Sequence, residues 1–101
     1  MTHPIRKLKA PDDIAHFIRT MHPDLKKKIR AGLSIILTNT FDGKALKDEL
    51  AGLRSFRVSR FRIIYREGRN VIEIVAIGPR ERIYEDTYKL LKKERSSFDI
   101  Y

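Results

Sequence analysis

Arg57 and Arg62, followed by Arg80 and Tyr84, are the residues of this 101-residue chain whose types and spacing could do chemistry. A two-residue turn at Ser59-Arg60 puts Val58 opposite Phe61, Arg57 opposite Arg62 and Phe56 opposite Ile63. Directly opposed like charges on a sheet cost about 0.2–1 kcal/mol relative to neutral pairs. A fold that accepts this cost points to an anion held there. The guanidinium fork suits phosphate oxygens and keeps its charge at any ordinary pH. Tyr84 follows Arg80 by one helical turn, so both can reach one site, where a phenol can stack on a base or exchange a proton. The competing expectation is an ordinary solvated network, in which these arginines pair with Glu67, Glu73, Glu81 and Glu85 and Tyr84 packs in the core.

Further cations could extend such a site into a phosphate-binding surface: Arg60 at the hairpin tip, Arg66 on the second strand, Arg82 after the third, and Lys26, Lys27, Lys28 and Arg30 on a helix. Lys and Arg number 22 against 13 Asp and Glu, a formal net charge of +9 that attracts polyanions. Nucleic acid, an anionic membrane surface and an acidic protein all answer that description. The chain has no cysteine, which removes disulfides and thiol chemistry. His3, His16 and His22 lack a close metal-ligand spacing, and no nucleophile triad or glycine-rich phosphate loop can be assembled. We expect neither a metal nor a cofactor. With no apolar run of about 18 residues and no signal-like segment, a cytoplasmic, non-membrane protein is the expectation.

The elements that must position these residues are legible in the hydrophobic pattern. The length suits one domain over residues 1–101. Ile5 and Leu8 suggest a short N-terminal strand. Pro11 with Asp12 and Asp13 opens a helix whose face is Ile14, Phe17, Ile18 and Met21. His22-Pro23 ends it, and a second helix starts at once with Leu25, Ile29, Leu33, Ile36 and Leu37 inward. Leu46, Leu50 and Leu53 suggest a short helix or turn. From Arg54 the period becomes two, with Phe56, Val58, Phe61, Ile63 and Tyr65 facing the core and Ser55, Arg57, Arg62, Ile64 and Arg66 on the other face. Glu67 to Asn70 make a second turn, and the apolar Val71–Ile77 strand should be covered on both sides. Gly78-Pro79 ends the sheet. A last helix runs from about Glu81 to Glu94, with 95–101 as a flexible tail.

Phe56 to Tyr65, FRVSRFRIIY, and Ile77 to Tyr84, IGPRERIY, resemble the strand pattern near YRVGDYRIIY and the IGHRxxVY segment of the RelE/ParE superfamily of toxins. PDLKKKIRAGLSIIL is similar to that family's second helix. The resemblance implies an α+β fold: an N-terminal strand and helical hairpin packed on a small, mainly antiparallel sheet, with a C-terminal helix. Its RelE branch implies a metal-independent endoribonuclease that cuts mRNA in the ribosome. Arg57 and Arg62 would then hold and neutralise the phosphate, Arg80 would stabilise the transition state or help protonate the leaving oxygen, and Tyr84 would stack on a base or assist proton transfer. Its ParE branch implies inhibition of DNA gyrase instead, and a catalytically silent binding module is a third reading. Either toxin branch implies an acidic antitoxin and a toxin–antitoxin heterotetramer. Pro79 stands where many relatives carry histidine, and Ser59-Arg60 replaces a Gly-Asp turn. Where some RelE enzymes carry a second lysine, this chain offers Ser59.

Overall fold

The structure, a computed structural model, describes residues 6–99, with side chains described for residues 6–94. Ile5 and His3 lie outside that range. A five-stranded sheet of order β1-β5-β4-β3-β2 is built from β1 (Lys7–Lys9), β2 (Lys44–Ala45), β3 (Arg54–Val58), β4 (Phe61–Gly68) and β5 (Val71–Pro79). β1 runs parallel to β5 and every other pair is antiparallel. Helices α1 (Asp12–Arg19) and α2 (Pro23–Thr38) cover one face, and α3 (Ile83–Asp99) covers the other.

The α1–α2 break follows from local chemistry. Pro23 opens α2, and the ring of His22 caps it by accepting from the Asp24 N–H at 3.2 Å. Ile29, Leu33 and Ile36 of α2 are buried against Val58, Ile63, Tyr65, Ile72, Ile74 and Ile77. α2 lies so close to the sheet that a Cβ on Gly32 would sit 2.8 Å from Val58 Cγ2.

The opposite face holds a smaller core of Leu53, Ile64, Val75, Ala76 and Ile83, with Leu46, Leu50, Tyr84 and Leu91 packed against it. A register shift at Ile64/Tyr65 makes this possible, because Ile64 pairs with Ala76 while Tyr65 pairs with Ile74. Val75 is the extra residue of the bulge, so Val75 and Ala76 both serve the α3 side while Ile74 and Ile77 serve the α2 side.

Residues 40–50 form two 3-10 turns, Thr40–Asp42 and Asp48–Leu50, around β2, the second of them within the stretch where a short helix or turn was expected. Between them the Gly43 N–H and carbonyl are tied to Tyr65 and Arg54, which holds the chain extended there. α3 starts at Ile83, two residues later than expected, and continues through Asp99. No glycine or proline after Pro79 stops it, so residues 95–99 are helical where a tail was expected. No described helix is long and apolar enough to cross a membrane.

Candidate active site

The β3–β4 hairpin places Arg57 directly opposite Arg62, in the register the sequence requires. Ser59, at φ 57°, takes the left-handed position of the turn, and its carbonyl accepts from Arg57 Nε at 3.3 Å. Phe56 and Val58 point into the α2 core, so Arg57 and its strand neighbour Ser55 face the α3 side. The guanidinium of Arg62 is partly covered there. Its Nη1 donates to Ser55 Oγ at 3.4 Å, and its Nε is buried without a partner.

Ser55 is 1 % exposed, and its Oγ lies 3.1 Å from the Tyr84 hydroxyl. Tyr84 occupies the first turn of α3. That helix can begin close over the sheet because residue 78, opposite Arg62, is glycine. A Cβ there would stand 3.1 Å from Ile83 Cδ1. Arg80 lies in the turn before α3, and its N–H donates to the Arg60 carbonyl at 3.0 Å, tying that turn to the hairpin tip. Arg57, Arg60, Arg62, Arg80 and Tyr84 thus gather at one end of the sheet, with Arg82 in the adjoining turn.

Charge accounting separates these arginines from the rest. Arg66 pairs with Glu73 across the ladder, Arg6 with Glu67 at 2.6 Å, and Lys89 with Glu85 at 3.3 Å. Among the described residues, no carboxylate pairs with Arg57, Arg60, Arg62, Arg80 or Arg82. The solvated network therefore exists at Arg66 and stops short of the hairpin tip. Lys26, Lys27, Lys28 and Arg30 sit on α2, across the sheet from Arg57 and Arg62. Exposed His16 on α1 and His22 at the start of α2 likewise lie with the helices of that other face, and no group of three or more His, Asp or Glu could hold a metal ion among the described residues.

Ser55 is the site residue that sequence reasoning did not single out. Strand alternation puts it beside Arg57, but a serine on the polar face of a strand reads as surface. Only α3 lying over it makes it a buried hydroxyl between an arginine and a tyrosine. Ser59, matched to the second lysine of some RelE enzymes, is in the turn and serves the backbone.

A buried tyrosine frames the far end of the hairpin. The Tyr65 hydroxyl donates to the Thr40 carbonyl at 2.6 Å and accepts from the Gly43 N–H at 3.0 Å. Burial pushes its pKa up, with the Gly43 N–H pulling partly the other way. Arg54 Nη1 donates to the Gly43 carbonyl at 2.7 Å while its guanidinium lies 4.8 Å from the Phe41 ring. These bonds fix the 40–43 segment against the start of β3.

Known proteins share this fold. The fold is similar to the toxin–antitoxin complex RelBE2 from Mycobacterium tuberculosis, at TM-score 0.65 and 19% identity over 74% of this chain and 98% of that one. It is also similar to the isolated RelE toxin of E. coli, at TM-score 0.64 and 14% identity over 85% and 98% of the two chains. The YoeB–YefM complex from Staphylococcus aureus gives TM-score 0.60 and 21% identity over 71% and 93%. A search of curated proteins finds no match. Residues 7–84 match the model of the ParE toxin of the type II toxin–antitoxin system parDE, a span that takes in every strand, both N-terminal helices and the whole arginine–tyrosine cluster. The chain therefore belongs to the RelE/ParE superfamily of toxins from type II toxin–antitoxin systems.

Proposed function

We propose that this toxin is a metal-independent endoribonuclease that cuts mRNA on the ribosome and so inhibits translation. The observation that carries the reading is the cluster of five arginines without carboxylate partners among the described residues, two of them directly opposed across a strand pair. In such a reaction the 2′-oxygen attacks the adjacent phosphorus and gives up its proton, the P–O5′ bond breaks, and the 5′-oxygen gains a proton. A 2′,3′-cyclic phosphate and a 5′-hydroxyl result. Negative charge peaks on the phosphorane oxygens, and fixed cations aimed there are often the largest catalytic term. Arg57 and Arg62 hold the phosphate and Arg80 neutralises the transition state. Arginine is a poor proton donor, because its guanidinium holds its proton at any ordinary pH. With proline at 79, Tyr84 supplies the hydrogen bond to the reacting oxygens.

Primer extension on a defined mRNA in a purified translation system tests this, comparing wild type with Arg80→Ala and Tyr84→Phe. Ribosome-dependent cuts that disappear in Arg80→Ala support it, and an intact transcript with wild type refutes it. The match to the ParE model favours a second reading, inhibition of DNA gyrase. A supercoiling assay separates the two, because inhibition that survives Arg80→Ala has no use for the arginine cluster.

A cognate antitoxin is the expected partner, as in the relative crystallised as the toxin–antitoxin complex RelBE2. The net charge of +9 calls for an acidic one. Phe41, 69 % exposed and beside Arg54, offers an apolar anchor for its segment. Two toxins and two antitoxins would make the heterotetramer.

A further inference from the structure

From the partly buried row Arg62 Nη1, Ser55 Oγ and Tyr84 hydroxyl we infer that Ser55 is a positioning residue, setting both the place of the Arg62 guanidinium and the direction of the Tyr84 proton. The inference rests on the nuclease reading of the site and deepens it. A serine hydroxyl has one proton to give and two lone pairs. Arg62 has only protons to give, so at 3.4 Å it donates to Ser55 and leaves the serine proton free to turn toward Tyr84, 3.1 Å away. A cationic donor polarises the hydroxyl it bonds and strengthens the next bond in the row. Tyr84 then accepts from Ser55, and its own proton points outward, where an RNA oxygen meets it.

One further fact agrees with this assignment: Ser55 is 1 % exposed, so solvent does not compete for its hydroxyl. Ser55 is too deeply buried to meet RNA itself and works through its two neighbours.

The test is single-turnover cleavage of mRNA on programmed ribosomes by wild type, Ser55→Ala, Ser55→Thr, Tyr84→Phe and Ser55→Ala/Tyr84→Phe, with the melting temperature of each. Misplacing a catalytic group costs on the order of tenfold to a hundredfold. We expect Ser55→Ala to lower the saturating rate by about that factor with the half-saturating toxin concentration unchanged, and Ser55→Thr, which keeps the hydroxyl, to recover most of it. The serine effect should shrink in the Tyr84→Phe background, since both changes break one row. A saturating rate for Ser55→Ala equal to wild type overturns the inference, as does a loss that multiplies with that of Tyr84→Phe. A loss that tracks only a lowered melting temperature, and that Ser55→Thr does not relieve, also overturns it. If wild type cuts nothing, the nuclease reading falls and this inference with it.

Discussion

Replacing Arg57 by glutamine should make the protein more stable and less active together. Arg57 faces Arg62 across the ladder, is exposed, and makes one long hydrogen bond, 3.3 Å to the Ser59 carbonyl. Glutamine keeps much of the side-chain length and removes the charge. Relief of a directly opposed like-charge pair is worth about 0.2–1 kcal/mol. For a domain of this size that corresponds to a rise in Tm of about 1–8 °C. The gain is electrostatic, so it should shrink as ionic strength rises and the screening length falls from about 10 Å at 0.1 M salt to about 3 Å at 1 M. Scanning calorimetry or thermal circular dichroism of both proteins at low and high salt reads it directly. Inorganic phosphate should narrow the difference in the same way, because an anion bound between the two arginines stabilises wild type by mass action and the variant less. An unchanged or lowered Tm at low salt, or a gain indifferent to both salt and phosphate, would show that the pair is not repulsive, and the anion-site reasoning would fail with it.

Arg80→Ala should reduce cleavage by about 10²–10³-fold, the usual cost of removing one donor from a transition-state site, while leaving Tm nearly unchanged. Its side chain is exposed, and its one described bond is made by the backbone N–H; a drop in Tm matching the lost activity would refute this. Tyr65→Phe removes the partner of both the Thr40 carbonyl and the Gly43 N–H. Stranding such buried groups costs about 1–3 kcal/mol, to be read as a lower urea midpoint at unchanged slope. The pKa of Tyr65 is raised above its ordinary 10.0 by burial, so the native state favours the protonated phenol. Its contribution is complete below that pH and is lost as pH rises through the folded-state value. Urea midpoints measured upward from pH 9 should therefore fall less steeply for Tyr65→Phe than for wild type.

Much of the candidate site was legible in the chain because hairpin register is local. Ser59-Arg60 can join the strands tightly in only one alignment that keeps Phe56, Val58, Phe61 and Ile63 on one face, and that alignment sets Arg57 against Arg62. The α1–α2 break was equally local, written in His22-Pro23 and capped by His22 itself. Helix and strand periods gave the layers for the same reason: a stripe of apolar side chains must be covered, whatever covers it.

Tertiary structure decided what depends on residues far apart in the chain. Ser55 and Tyr84 are separated by 29 positions, and no periodicity says that the start of α3 will lie over that serine. The bulge at Val75 belongs here too. An unbroken alternation would turn Val75 and Ala76 to opposite faces, and packing against Ile64 and Ile83 put both on one. Which arginines have their charge balanced by a neighbour was also settled in three dimensions. Arg66 and Arg62 look alike in the strand pattern, yet one meets Glu73 across the ladder and the other meets Gly78. The sequence by itself determined the types of group and their strand-to-strand alignment, through short-range sterics and burial. Which arginines stay without a carboxylate partner among the described residues, and which hydroxyl is buried beside them, was decided by the packing of α3 on the sheet, since only packing sets the partners and the solvent around a charge.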